Sequence, residues 1–289
     1  MIRAGRLVPE TASGEHLGAM TAAPAPAPHL LVIGHVTRDE TPTGERLGGA
    51  GSYAALAAAR LGVPTALVTV APPEDPLLDA LRGVPNLDLH LVPDSIMTTF
   101  ALDYRGPARR LFLRRRARAL RPEDVPPSVR TAPVAYVGPV AAECDRALVA
   151  SLGSAFVGAG LQGWLRRAEP DGRVVPALLT EALDPPPLGC AIVSVEDHPD
   201  IDAIAARFAA TGSTVAITRG ARGSTLLSAG HQLDIPAAPA REIDPTGAGD
   251  VFGVVLTLQL ASGASPQTAA TGAALAAARV VEGPALGNL

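Results

Sequence analysis

The sequence is poor in the residues that mark several common protein classes. It has two cysteines, Cys144 and Cys190, far apart in a 289-residue chain. Neither a disulfide framework nor a metal-type thiol spacing can be built from them, so a reducing cytoplasm is the expected compartment. No apolar run reaches the roughly 18 residues needed to cross a bilayer, which argues against a membrane partner. Aromatic residues make up 3% of the chain, little material for a base-stacking pocket. An excess of basic charge is also missing: the net charge of −4 provides no global field to draw nucleic acid. The cluster Arg109, Arg110, Arg114, Arg115, Arg116 and Arg118 is a local exception, and such runs are mostly solvated faces.

What is abundant is apolar. At 47% hydrophobic, the chain can bury a real core and fits one large α/β domain with an appendage. The segment MIRAGRLVPETASGEHLGAM lacks the apolar stretch of a signal peptide, and TAAPAPAPH reads as a stiff Pro/Ala linker, with Met20 as an alternative start. The expected division is a linker-like extension over residues 1–29 and a folded domain over 30–289.

Periodicity and punctuation predict strands at 30–34, 65–70, 87–91, 134–137, 155–160, 191–194 and 214–218. Helices are expected at 51–61, 76–81, 143–152, 199–210, 247–261 and 266–281. Residues 224–228 and 232–235 read as an antiparallel pair, and 161–187 as Pro-rich and irregular. Residues 97–115 flank Arg105-Gly106-Pro107 and read as a polar hairpin lying outside the main sheet. Strands alternating with helices imply a mostly parallel sheet covered on both faces.

The strongest chemical signal is Asp244-Pro245-Thr246-Gly247-Ala248-Gly249-Asp250 opening an apolar helix. Glycines allow close backbone approach, and the helix start points N–H groups at an anion, most naturally a phosphate whose charge grows during transfer. Asp250, in the first turn, can take a proton from an attacking hydroxyl. The plain alternative is a tightly packed helix start with Asp250 as a capping acid.

DPTGAGDVFG resembles the C-terminal signature of the ribokinase/PfkB carbohydrate kinases. The resemblance implies a ribokinase-like three-layer sandwich, an α/β fold with a mostly parallel central sheet plus a small β lid at about 39–49 and 97–115. It makes Asp250 the catalytic base and Gly247, Ala248 and Gly249 the anion hole, with Thr246 near the nucleotide phosphates. Thr218-Arg219-Gly220-Ala221-Arg222-Gly223 resembles the family's nucleotide loop, giving roles to Thr218, Gly220 and Gly223. Gly48, Gly49 and Tyr53 lie in a segment similar to the family's substrate motif, although Tyr53 stands where Asn is common. Asp39 matches the family's hydroxyl-gripping acid. The Mg²⁺-linked motif is degraded to Ser194-Val195-Glu196-Asp197, leaving Asp197 and then Glu196 for the metal. Gln162 ends a strand on the presumed ligand face and is a substrate candidate, and Arg166 a candidate for neutralising phosphate charge. Trp164 reads as core.

The implied activity is ATP- and Mg²⁺-dependent phosphorylation of a hydroxyl on a sugar, inositol or related polyol, with a monovalent cation such as K⁺ as a further cofactor by the loop near Asp244. The implied partners are a small-molecule substrate and a second copy of the chain paired through the lid. Two alternatives stand beside this reading: a non-catalytic nucleotide- or sugar-binding regulator on the same fold, and a nucleoside kinase.

Overall fold

The computed structural model describes residues 27–103, 110–178 and 186–283. The expectations on residues 1–26, on Arg109 and on the Arg105-Gly106-Pro107 turn lie outside these. In chain order the strands of the main sheet are β1 (Leu30–Ile33), β4 (Thr65–Ala71), β5 (Leu87–Pro93), β8 (Val134–Val137), β9 (Phe156–Gly160), β12 (Cys190–Ser194), β13 (Thr214–Thr218), β14 (Ser224–Ser228) and β15 (His231–Ile235). Their spatial order is β15-β14-β13-β12-β9-β8-β1-β4-β5. Every pairing from β5 to β13 is parallel, and β14 and β15 close one edge antiparallel.

The helices are α1 (Ala50–Arg60), α2 (Pro127–Arg130), α3 (Arg146–Ala150), α4 (Ile201–Ala210), α5 (Ala248–Ala261) and α6 (Pro266–Val281). β1 shows why its run is apolar without alternation. Leu30 and Val32 pack into the cluster containing α1, α5 and α6, while Leu31 and Ile33 pack into the cluster containing α2, α3 and α4. All four are fully buried, as expected of a strand covered on both faces. In α1, every residue from Ala50 to Ala59 is buried; the run of alanines keeps the helix close to the sheet. These three layers and the mostly parallel sheet are those the motif resemblance implied.

The segments expected at about 39–49 and 97–115 join in one small sheet. β2 (Thr37–Thr41), β3 (Gly44–Gly48), β6 (Thr98–Asp103) and β7 (Arg110–Arg115) form a four-stranded sheet in the order β3-β2-β6-β7. The segment carrying Asp39 is therefore a strand, with Asp39 opposite Arg46 across an antiparallel pair. β10 (Arg166–Ala168) and β11 (Val174–Pro176) form a hairpin where an irregular region was expected. Strands of three residues are too short to display an alternating pattern.

The helix expected over 143–152 begins only at Arg146, because Asp145 caps it by accepting the Leu148 N–H at 2.8 Å. Glu143 is released from the helix and turned inward, where it is fully buried. Its carboxylate accepts N–H groups from His35 (2.9 Å), Val140 (3.0 Å) and Ala141 (2.7 Å). It thereby ties the chain leaving β1 to the chain leaving β8, the two paths that lead to the site. Glu143→Ala leaves two buried donors and one part-buried donor unpaired and is expected to cost at least about 3 kcal/mol, since each such group costs roughly 1–3 kcal/mol. Urea unfolding of the purified variant measures this; an unchanged midpoint would show that the three donors find other partners.

Candidate active site

The site is built where the carboxyl ends of the central strands meet the lid, the usual place for ligands in open α/β sheets. Gly247 caps α5 in a left-handed conformation, φ 85°. A Cβ there would lie 2.1 Å from Tyr53 Cδ1, so glycine is required both by the backbone and by the ring beneath it. Tyr53 is 2% exposed, and its hydroxyl is buried with no hydrogen-bond partner. It forms the floor under the loop, with Asp39, Arg46, Asp250 and Asp244 all close enough to act on it electrostatically. Ala248 turns its N–H to Pro245 O at 3.2 Å, which ties up one donor of the expected anion hole.

Asp250 follows in the first turn of α5. Part of its surface opens to the cleft, yet enough protein surrounds the carboxyl that desolvation dominates and lifts its pKa from 3.8 to about 7. Arg166 opposes that shift, and the charge of Asp197 adds to it. Asp197, just past β12, is desolvated too and has a raised pKa. It is held by the Ser194 N–H at 2.7 Å and by Gln162 Nε2 at 3.1 Å. Gln162 thus reaches the site through Asp197, whereas Glu196 is exposed to solvent.

Arg166 starts β10 beneath the lid. Its Nε donates to Val140 O at 2.8 Å, and its guanidinium lies 5.0 Å from the centre of the Phe100 ring. Burial lowers its pKa, against the combined pull of Asp197, Glu143, Asp250 and Asp39. A guanidinium within electrostatic reach of four carboxylates is a fixed positive centre for anionic or hydroxyl-bearing ligands.

On the lid, Asp39 Oδ1 accepts from Thr37 Oγ1 at 2.8 Å. The α-carbon face of Gly48 lies so close that a Cβ would meet Asp39 Oδ2 at 2.3 Å, so the glycine makes room for the acid. Gly49 caps α1 directly behind it. Arg46, from the neighbouring strand, reaches across to Asp244 Oδ2 (3.0 Å) and Thr246 Oγ1 (3.2 Å). Thr246 is engaged within the loop, donating N–H and O–H to Asp244 Oδ1 at 2.9 and 2.5 Å.

The loop 218–223 lies on the next strand over. Thr218 is the register partner of Ser194, and its carbonyl accepts the Val195 N–H at 3.1 Å, so the loop adjoins the Asp197 turn. Gly220 and Gly223 both have positive φ, and the Arg219 N–H closes the loop onto Gly223 O at 2.8 Å. A polar groove of about 560 Å³ beside it is lined by Arg219, Arg222, Thr225 and Asp234 among others. Asp250 is not among the residues that line this groove.

The structure brings Asp39, Gly48, Tyr53, Asp197, Gln162, Gly247 and Asp250 into one electrostatically connected neighbourhood. Sequence reasoning missed Arg46 and Glu143 and gave Arg166 no specific motif. The Thr41–Gly44 turn was the available signal for Arg46: a hairpin there places it across from Asp39. Trp164, expected in the core, is half-buried and donates Nε1–H to Cys144 O at 2.6 Å.

Residues 189–288 match the family model for the pfkB family carbohydrate kinases. No curated protein matches in sequence. A sulfate complex of a pyrophosphate-dependent kinase in the ribokinase family superposes with a TM-score of 0.74 at 18% identity, covering 89% of this chain and 96% of that one. The same description of kinase, complexed with a pyrophosphate analog and myo-inositol, superposes at 0.73, with 18% identity over 89% and 96%. Arabidopsis thaliana ribokinase complexed with ribose and ATP gives 0.65 at 16% identity over 91% and 96%. The chain therefore has the ribokinase fold. The stretch that matches the pfkB family model includes the Asp244–Asp250 motif.

Proposed function

We propose that the protein is a kinase that moves the terminal phosphoryl of ATP to a hydroxyl of a sugar, inositol or related polyol. The observation that carries this reading is Asp250: a carboxyl at a glycine-lined helix start with a pKa near 7, facing Arg166 and sharing the neighbourhood of Asp39. In this reading Asp39 holds acceptor hydroxyls, and Asp250 takes the proton of the attacking one. Free N–H groups at the α5 start meet the charge that develops on the transferring phosphoryl. Gly48 and Gly49 let the acceptor approach the backbone, and Thr218, Gly220 and Gly223 shape the donor's phosphate path.

No cluster of three or more metal-ligating side chains occurs among the described residues. Asp197, desolvated beside the base, fits Mg²⁺ only together with donor phosphate oxygens, the mode this ion favours. When bound, Mg²⁺ supplies charge neutralisation on those oxygens. Ser194 N–H and Gln162 hold Asp197 in place for it.

A second donor deserves its own arm of the test. Arg219 and Arg222 border the groove beside the Gly220–Gly223 loop, and no aromatic side chain lines it, which suits a donor of phosphate alone. Pyrophosphate-dependent kinases stand among the similar folds. The test is to incubate the full chain with Mg²⁺, with ATP or pyrophosphate, and with a panel of sugars, inositols and nucleosides, reading products by ³¹P NMR. A phosphate ester of a polyol is expected. If ligands raise the melting temperature but no ester forms with either donor, the regulator alternative prevails.

The pKa of Asp250 sets a pH dependence. The base acts when ionised, so kcat/KM should rise with unit slope as pH increases through about 7. Arg166 favours the ionised form, so Arg166→Met should move that limb to higher pH. A wild-type limb near pH 4 would show that burial does not raise the Asp250 carboxyl, and a limb that stays in place in Arg166→Met would show that Arg166 does not act on the titrating group.

A further inference from the structure

A monovalent cation was expected near Asp244, and the donor set there does not suit one. Asp244 Oδ1 already accepts two donors from Thr246, and Oδ2 accepts Arg46 Nη1 at 3.0 Å. The second arm of the same guanidinium, Nη2, donates to Thr246 Oγ1 at 3.2 Å. The N–H groups of Ile243 and Asp244 are bound to Val281 O at 2.7 and 3.2 Å, which anchors the loop to the end of α6. An alkali ion needs several free oxygen lone pairs and an absence of positive charge in contact. Here both carboxylate oxygens are occupied, and a guanidinium sits against them.

We propose that Arg46 is the permanent cation of this loop: a lid side chain that takes the place of an exchangeable monovalent ion and positions the Asp244–Gly249 turn for transfer. This rests on the kinase reading for its effect on turnover, but not for its effect on ion binding. Arg46 stands across the strand pair from Asp39, so one residue links the acceptor side of the lid to the loop that opens α5. Burial opposes its charge, but the carboxylates of Asp244 and Asp39 outweigh that and hold the guanidinium protonated. Asp244 is correspondingly kept below the usual carboxylate range: burial would raise it, and the Thr246 and Arg46 contacts overcome that. The contact also makes the loop sensitive to lid position, because displacing β3 withdraws the cation from Asp244. Arg46 is therefore a positioning residue acting through Asp244 and Thr246.

The test compares wild type, Arg46→Ser and Arg46→Lys in KCl, NaCl and choline chloride at equal ionic strength, by thermal unfolding and by turnover with ATP and myo-inositol. Wild type should be indifferent to the cation in both readouts. Arg46→Ser should lose about 10²-fold in kcat, the scale of a displaced catalytic loop. It should also acquire a K⁺ response: a higher melting temperature in KCl than in choline chloride, and partial recovery of turnover with K⁺ or methylguanidinium. Arg46→Lys should retain more activity than Arg46→Ser. Saturable K⁺ activation of wild type overturns the proposal, as does a folded Arg46→Ser with wild-type kcat. If no acceptor is phosphorylated at all, the kinase reading fails, and the melting data decide this inference by themselves. A K⁺ response appearing only in Arg46→Ser supports it, and indifference in both proteins overturns it. If Arg46→Ser does not fold, wild type and Arg46→Lys decide: indifference to K⁺ in both, with turnover partly kept by the lysine, supports the proposal, and saturable K⁺ stabilisation or activation of wild type overturns it.

Discussion

Asp250→Asn is expected to reduce turnover by about 10³-fold at pH 8, within the range of roughly 10²–10⁴ supplied by a positioned general base. The same substitution should leave the protein folded, and above pH 7 it should make it more stable. The sign follows from the shift: the carboxyl titrates near 7 in the folded chain and near 3.8 when exposed. Between those values the native state keeps a proton that the unfolded state has released. Stability from this group therefore declines as pH rises from about 4 through about 7, and the full cost of a buried charge is present above it. Asparagine carries no charge to bury, so the stability gap between variant and wild type should open over that window and close below it. Activity assays and urea melts at pH 5 and pH 8 check both halves. A variant that is both active and no more stable at pH 8 would remove Asp250 from the mechanism.

Gly249→Ala should separate the anion site from the fold. A Cβ at this position would meet nothing within 4 Å, and unlike Gly247 the residue does not have a positive φ. It stands in the first turn of α5, where alanine is a better helix former than glycine by about 0.5–1 kcal/mol. Stability should be unchanged or slightly higher. The methyl nevertheless occupies the space over the helix start where the transferring phosphoryl is proposed to sit. Losing access to even one oxyanion donor costs about 10²–10³-fold, so kcat should fall by at least that factor. Circular dichroism melts alongside steady-state kinetics make the comparison. Retained turnover would place the phosphoryl elsewhere.

How much of this was legible in the sequence differs by element. The layered α/β body was readable because its strands are continuous apolar runs, such as Leu30–Ile33, and its helices have sharp stops, such as Gly62 after α1. The helix opening at Ala248 and the one starting at Pro266 were visible for the same reason. The lid was partly hidden. β2 and β3 are short and polar, and β6, the other partner of β2, lies about sixty residues away, so no local pattern announces that Thr37 pairs with Thr98. The site followed the same division. Asp250 and its glycines sit in one contiguous string that carries its own meaning. Arg46 and Arg166 acquire meaning only when the fold brings them to Asp244 and to the ring of carboxylates. Glu143 is the sharpest case: its position suggested a helix start, and only the backbone donors of His35, Val140 and Ala141 explain why it turns inward.

The most direct measurement is a crystal structure of the full chain with a non-hydrolysable ATP analogue, Mg²⁺ and myo-inositol. The account predicts the terminal phosphoryl over the Gly247–Gly249 turn and an inositol hydroxyl within about 3 Å of the Asp250 carboxylate, with Asp39 holding its neighbours. A terminal phosphoryl bound beside Arg219 and Arg222, with Asp250 touching neither ligand, would contradict it.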